Sequence, residues 1–138
     1  MSRILGLDYG TKRIGVAVSD PLNIIAQGVR VVPNSTEGLN EIKRLAREYD
    51  VEKVVVGIPY NLKGEKGQKA KEVDGFIERI KQESGLEFVT WDERFTSERA
   101  HQTLLEMGAK KKQRQSKEKI DEMAAALILQ GYLDSRKC

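Results

Sequence analysis

The chain has 138 residues, 39% hydrophobic and 33% charged, with 24 Lys and Arg against 21 Asp and Glu for a net charge of +3. That composition fits one compact soluble domain over residues 1–138 and excludes a disordered chain, while so slight a basic excess does not establish a polyanionic partner. One cysteine, Cys138, and one histidine, His101, exclude disulfide frameworks, Cys–His zinc sites, HExxH proteases and most Ser–His–Asp triads.

No secretory signal follows Met1-Ser2-Arg3. The longest apolar run, Met123 to Leu129, is far shorter than the ~20 residues that cross a bilayer. The expectation is a cytoplasmic protein with no membrane partner.

Arg3 to Leu7 and Arg13 to Ser19 read as short strands rich in branched apolar residues. Between them Asp8-Tyr9-Gly10-Thr11-Lys12 supplies turn chemistry, with Gly10 available for positive φ. Ile24 to Val32 reads as a third strand after the turn Asp20-Pro21-Leu22-Asn23. A helix follows from about Ser35 to Tyr49, with Leu39, Ile42, Leu45 and Ala46 on one face and Asn34 with Glu37 as its capping pair. Lys53 to Ile58, ending at Pro59, has the unbroken apolar pattern of a strand covered on both sides. The polar loop Tyr60 to Gln68 leads to a second helix, Ala70 to Ser84, whose inner stripe is Val73, Phe76, Ile77 and Ile80 and whose stop is Gly85. Leu86 to Trp91 is a fifth strand. Thr96 or Ser97 caps a third helix to Met107. A last helix runs from about Lys117 to Leu133. The order β-β-β-α-β-α-β-α-α predicts an α/β fold: an antiparallel meander continued into a mixed five-stranded sheet, with helices on both faces.

Acidic residues sit where acids are expensive to bury. Asp8 ends the first strand beside a glycine turn, where a carboxylate can hold a hard cation or serve as an Asx-turn residue. Asp121 shares a helical face with Ala124, Ala125, Ile128 and Tyr132, and small side chains there would let the helix carry it close to a sheet. The alternative role is complementing the helix macrodipole. Asp92 and Glu93 end the fifth strand and point in different directions, so one can enter the site while the other holds Arg94; at this point the two remain open. Converging carboxylates suit Mg²⁺ or Mn²⁺, two of which, roughly 3.5–4 Å apart, can drive phosphodiester hydrolysis without a histidine.

Residues 109–119 form the one compositional break, with Lys110, Lys111, Lys112, Arg114, Lys117 and Lys119. Such a run is ordinarily a solvated loop, but just before the helix of Asp121 it is a candidate phosphate clamp, with Lys12 and Arg13 on the same rim. Loop aromatics are scarce, Tyr9 and Tyr60 being the candidates, so recognition would run through backbone and shape.

These segments resemble the YqgF family, RuvC-related proteins of the ribonuclease H-like superfamily described as Holliday junction resolvases or pre-16S rRNA nucleases. The resemblance covers Ile4 to Leu133. It rests on Gly6-Leu7-Asp8-Tyr9-Gly10-Thr11-Lys12-Arg13-Ile14-Gly15, on Val54-Val55-Val56-Gly57-Ile58-Pro59, on Asp92-Glu93-Arg94-Phe95-Thr96-Ser97, and on Ile120-Asp121 through Gln130. It implies Asp8 and Asp121 as the first and last catalytic, metal-holding acids. Related resolvases carry another acid after the fourth strand, where this chain reads Gly57-Ile58-Pro59. The resemblance therefore implies Glu93 as the middle acid. Arg94 then joins Lys12, Arg13, Lys110, Lys111, Lys112 and Arg114 among the nucleic-acid contacts.

The implied activity is a Mg²⁺- or Mn²⁺-dependent endonuclease on structured RNA, maturing the 5′ end of precursor 16S rRNA in ribosome biogenesis. The alternatives are a resolvase of four-way DNA, which needs paired sites in a dimer, and a non-catalytic RNA-binding assembly factor. An actin-like kinase module, suggested by Asp8-Tyr9-Gly10-Thr11, would need a second such domain around ATP. Narrow apolar stripes and polar loops predict a monomer or weak dimer.

Overall fold

The computed structural model describes residues 2–58, 67–92 and 117–136. Runs of branched apolar residues form Arg3–Tyr9 (β1), Arg13–Ser19 (β2), Ala26–Pro33 (β3), Val51–Ile58 (β4) and Glu87–Asp92 (β5). They join one sheet in the order β3-β2-β1-β4-β5. The pairs β1–β2 and β2–β3 are antiparallel, whereas β1–β4 and β4–β5 are parallel. The mixed five-stranded sheet expected from the element order is the one observed.

Thr36–Glu48 (α1) and Gln68–Ser84 (α2) cover one side of the sheet. Their apolar stripes, including Leu39, Ile42 and Leu45 from α1 and Val73, Phe76 and Ile80 from α2, close over Leu5, Leu7, Ile14, Val16, Val54, Val56 and Ile58. Lys117–Ser135 (α3) lies on the opposite side, its buried residues Ala125, Ile128, Leu129, Tyr132 and Leu133 meeting Ile4, Ala17 and Val55. Spacing of three and four along α3 produces that stripe, and Asp121 lies one turn before Ala125 on the same line.

Local details depart from the sequence expectations for identifiable reasons. β1 continues through Asp8 and Tyr9, which pair with Gly15 and Ile14, so Asp8 is a strand residue and not a turn residue. Gly85 stops α2 in the left-handed region at φ 71°, while Gly10 has no positive φ. Gly10 is needed for closeness instead, because a Cβ there would come within 2.4 Å of the Arg13 carbonyl oxygen. Ser35, not Asn34, caps α1, its Oγ accepting from the Gly38 amide. Asn34 is occupied elsewhere: its Nδ2 donates to Gly10 O and its main-chain N–H to Lys12 O, both at 2.9 Å. β3 begins at Ala26 and not Ile24, because Asp20 Oδ1 accepts from the amides of Ile24 and Ile25 and holds that stretch as a turn. The turn leaves Leu22, Ile24 and Ile25 exposed. Among the described residues no helix is long and apolar enough to cross a membrane.

Candidate active site

Strand alternation decides which side chains of the sheet's upper edge face α3. On β1, Ile4, Gly6 and Asp8 share a face, and Ile4 packs in the α3 core. On β2 that face carries Arg13, Gly15 and Ala17. On β5 it carries Val89 and Trp91, and Trp91 meets Tyr132 of α3 edge-on at 6.3 Å. Asp8 and Asp121 are thus on the same side of the sheet. Asp92, one residue beyond Trp91 and paired with Ile58, alternates to the side of α1 and α2.

Glycines set how close α3 can come. A Cβ on Gly15 would lie 2.2 Å from the Asp121 carbonyl oxygen, one on Gly6 2.6 Å from Leu129 Cβ, and one on Gly28 3.0 Å from Glu122 Cβ. Adjacent strands therefore form a track without side chains, and the helix backbone lies in it. Gly15 is also the register partner of Asp8, so the main chain of Asp121 rests on the residue beside Asp8. Residues 113 positions apart in the chain (121 − 8) come to the same edge of the sheet this way.

Asp121 Oδ2 accepts a hydrogen bond from Arg13 Nε at 3.1 Å, with the two side chains 30% and 39% exposed. Together with Gly10, Thr11 and Lys12 they line an open hollow of about 340 Å³. Arg13 is the first residue of β2, as the sequence pattern predicts, and is turned to α3; Lys12 is exposed. Asn34 braces the Gly10–Lys12 turn from below through the two bonds described above.

The donor set is all oxygen, as a hard cation prefers, and the carboxylate of Asp121 already holds a cationic group. Mg²⁺ commonly uses only one or two carboxylates and keeps waters and phosphate oxygens for the rest. Asp8 and Asp121 fit that habit. Among the described residues no group of three potential metal-holding side chains occurs. Glu93, Arg94, Lys110, Lys111, Lys112 and Arg114 lie outside the described residues, as do the expected helix ending at Met107 and most of the basic loop.

The sequence reading did not find the Arg13–Asp121 pair, the bracing by Asn34 or the glycine track. The last had a signal: Gly6, Gly15 and Gly28 each interrupt a strand, where glycine marks close approach of another backbone.

Comparison with known proteins adds a family to this geometry. A family model named RuvX and described as Holliday junction resolvase matches residues 2–135. A protein of Sulfurihydrogenibium sp. (strain YO3AOP1), provisionally named pre-16S rRNA nuclease, is 46% identical over 136 residues, covering 97% of this chain and 91% of its own. One from Desulforamulus reducens with the same provisional name is 44% identical over 135 residues, covering 96% and 97%. Among solved structures, T. thermophilus RuvC in complex with a Holliday junction superimposes with a TM-score of 0.61 at 14% identity, covering 99% of this chain and 96% of that one. The fowlpox virus Holliday junction resolvase gives 0.57 at 13%, covering 96% and 99%. At those identities the likeness concerns the fold.

Proposed function

Since the chain belongs to the RuvX family, we propose that its upper sheet edge is the active site of a divalent-metal-dependent endonuclease that trims the 5′ end of precursor 16S rRNA in the cytoplasm. The observation that carries this reading is the convergence of Asp8 and Asp121 on one face and one edge of the sheet, over Gly15. The relatives at 44–46% identity bear the ribosomal RNA name, whereas the solved resolvases share the fold at 13–14%. That difference favours RNA over a DNA junction as substrate.

Asp8 and Asp121 hold Mg²⁺ or Mn²⁺ through carboxylate oxygen. Glu93 is the third acid; the turning away of Asp92 to the α1 side supports it against its neighbour. The bound ion supplies Lewis acidity for phosphodiester hydrolysis. Lys12 and Arg13, with Arg94, Lys110, Lys111, Lys112 and Arg114, contact phosphates and position the strand without reading bases. Residues 1–138 act as one domain, as a monomer or weak dimer.

The experiment compares wild type with Asp8→Asn and Asp121→Asn on a precursor 16S rRNA 5′ leader and on a four-way DNA junction, each with Mg²⁺ or Mn²⁺. Leader cleavage by the wild type, abolished in both variants with folding intact, is the expected result. Full activity of Asp8→Asn removes the catalytic assignment. Symmetric nicking of the junction by a tight dimer makes resolution the better reading. Metal-independent RNA binding without cleavage makes the protein an assembly factor. Replacing Lys110, Lys111, Lys112 and Arg114 by Ala should lower affinity and flatten its dependence on salt, because fewer counterions are released.

A further inference from the structure

We propose that Arg13 is a built-in counter-ion for Asp121, displaced when a divalent cation binds and then free to turn its guanidinium to the nucleic-acid phosphate. The inference rests on the reading of Asp121 as a metal ligand and adds how that ligand is kept ready.

The pair is held by one bond, Arg13 Nε to Asp121 Oδ2 at 3.1 Å. A two-point fork would commit the outer edge of the guanidinium as well. Here the Nη groups have no recorded partner among the described residues, and the side chain lines the hollow with Gly10, Thr11 and Lys12. Arg13 can hold a carboxylate and still be reached from solvent.

The two partners differ in freedom. Asp121 is fixed, because its main chain lies against Gly15 and its helix is locked by Ala125 and Leu129. Arg13 stands at the first position of β2 and carries a long rotatable stem. With the side chains 39% and 30% exposed, the bond is of the weak, solvent-screened kind. An ion on the same carboxylate at ~2.1 Å would sit within roughly 5 Å of the guanidinium, and like charges at that range repel. The arginine is the group that yields. Until then its charge offsets the gathering of Asp8 and Asp121 on one face.

The test uses the full chain without nucleic acid. Calorimetry measures Mn²⁺ binding to wild type, Arg13→Gln, Arg13→Lys and Lys12→Gln. In parallel, a Mg²⁺ titration follows the Arg13 Nε–H signal by NMR, assigned by its loss in Arg13→Gln. Arg13→Gln should bind Mn²⁺ roughly three- to tenfold more tightly, as expected when a weak competing ion pair is removed. Arg13→Lys should fall between it and the wild type. Lys12→Gln, which deletes the same charge without the bond, should change affinity less than about twofold. The Nε–H signal should move in step with Mg²⁺ occupancy.

Equal Mn²⁺ affinity in wild type and Arg13→Gln, an equal gain in Lys12→Gln, or an Nε–H signal unmoved at saturation overturns the counter-ion role and leaves the metal ligands standing. Failure of every variant, Arg13→Gln included, to bind Mn²⁺ removes the metal reading itself and the counter-ion with it.

Discussion

The two faces of the sheet use the same strands in different ways. Toward α1 and α2, every strand presents branched or aromatic side chains that interlock with two amphipathic helices, and the core of that layer is apolar. Toward α3 the same strands present Gly6, Gly15 and Gly28, together with Asp8, Arg13 and the buried Ser19. The first face maximises side-chain volume between sheet and helix. The second sacrifices it so that a backbone can come near and bring a carboxylate to the strand end. A two-faced sheet can thus keep cohesion on one side and chemistry on the other, and each side should fail differently when disturbed.

The largest stability effect belongs to the α1 side. Ile42 is fully buried there. Ile42→Ala should cost ~2–5 kcal/mol, the transfer term plus a cavity. Denaturant unfolding measures the loss, while Mn²⁺ affinity of the folded protein should stay within about twofold, since the cavity lies on the far side of the sheet. A variant that lost metal binding in proportion to stability would show that the two faces are not separable.

Gly15→Ala probes the other side and should have the reverse profile. The added methyl must push Asp121 away from a carbonyl contact of 2.2 Å. Overpacking of this kind costs ~1–3 kcal/mol. Its functional cost should exceed its stability cost, because shifting α3 moves Asp121 relative to Asp8. Cleavage and Mn²⁺ affinity measured beside melting curves decide it. Retained activity in a destabilised Gly15→Ala would mean that the close approach of α3 is structural only.

The same contrast explains which parts of the molecule could be read from the sequence. The strands, α1, α2 and the sheet's mixed order follow from local periodicity, which is what the α1 side consists of. The placing of Asp121 on the inner line of α3 was also readable, because Ala125, Ile128 and Tyr132 mark that line. The Arg13–Asp121 bond was not, since it joins residues 108 apart with no shared pattern. Asn34 and Ser35 are equally good cap residues. Only the tertiary bonds of Asn34 to the Gly10–Lys12 turn leave the cap to Ser35. The direction of Asp92 was equally out of reach, because it depends on strand phase, which the packing of Trp91 on Tyr132 supplies.

The smallest effect concerns Asp20, a carboxylate whose partners are entirely local and which therefore serves as a control for the acids at the upper edge. The amide of Ile25 first, then that of Ile24, holds its pKa below the ordinary 3.8. A carboxyl with a lower pKa folded than unfolded contributes stability above its unfolded value, and the contribution disappears as pH falls through the folded one. Wild-type stability should consequently decline as pH drops below about 4. Asp20→Ala should remove part of that decline and leave a slightly less stable protein at neutral pH. Asp20 is partly exposed at the β2–β3 turn, its contacts far from the upper edge, so the change should be small and should not touch Mn²⁺ affinity. Urea unfolding between pH 2.5 and 7, with calorimetry at pH 7, measures both. If Asp20→Ala altered Mn²⁺ binding as strongly as Asp121→Asn, carboxylates would be acting through overall charge, and the distinction between an acid satisfied by its own turn and one carried in on α3 would not hold.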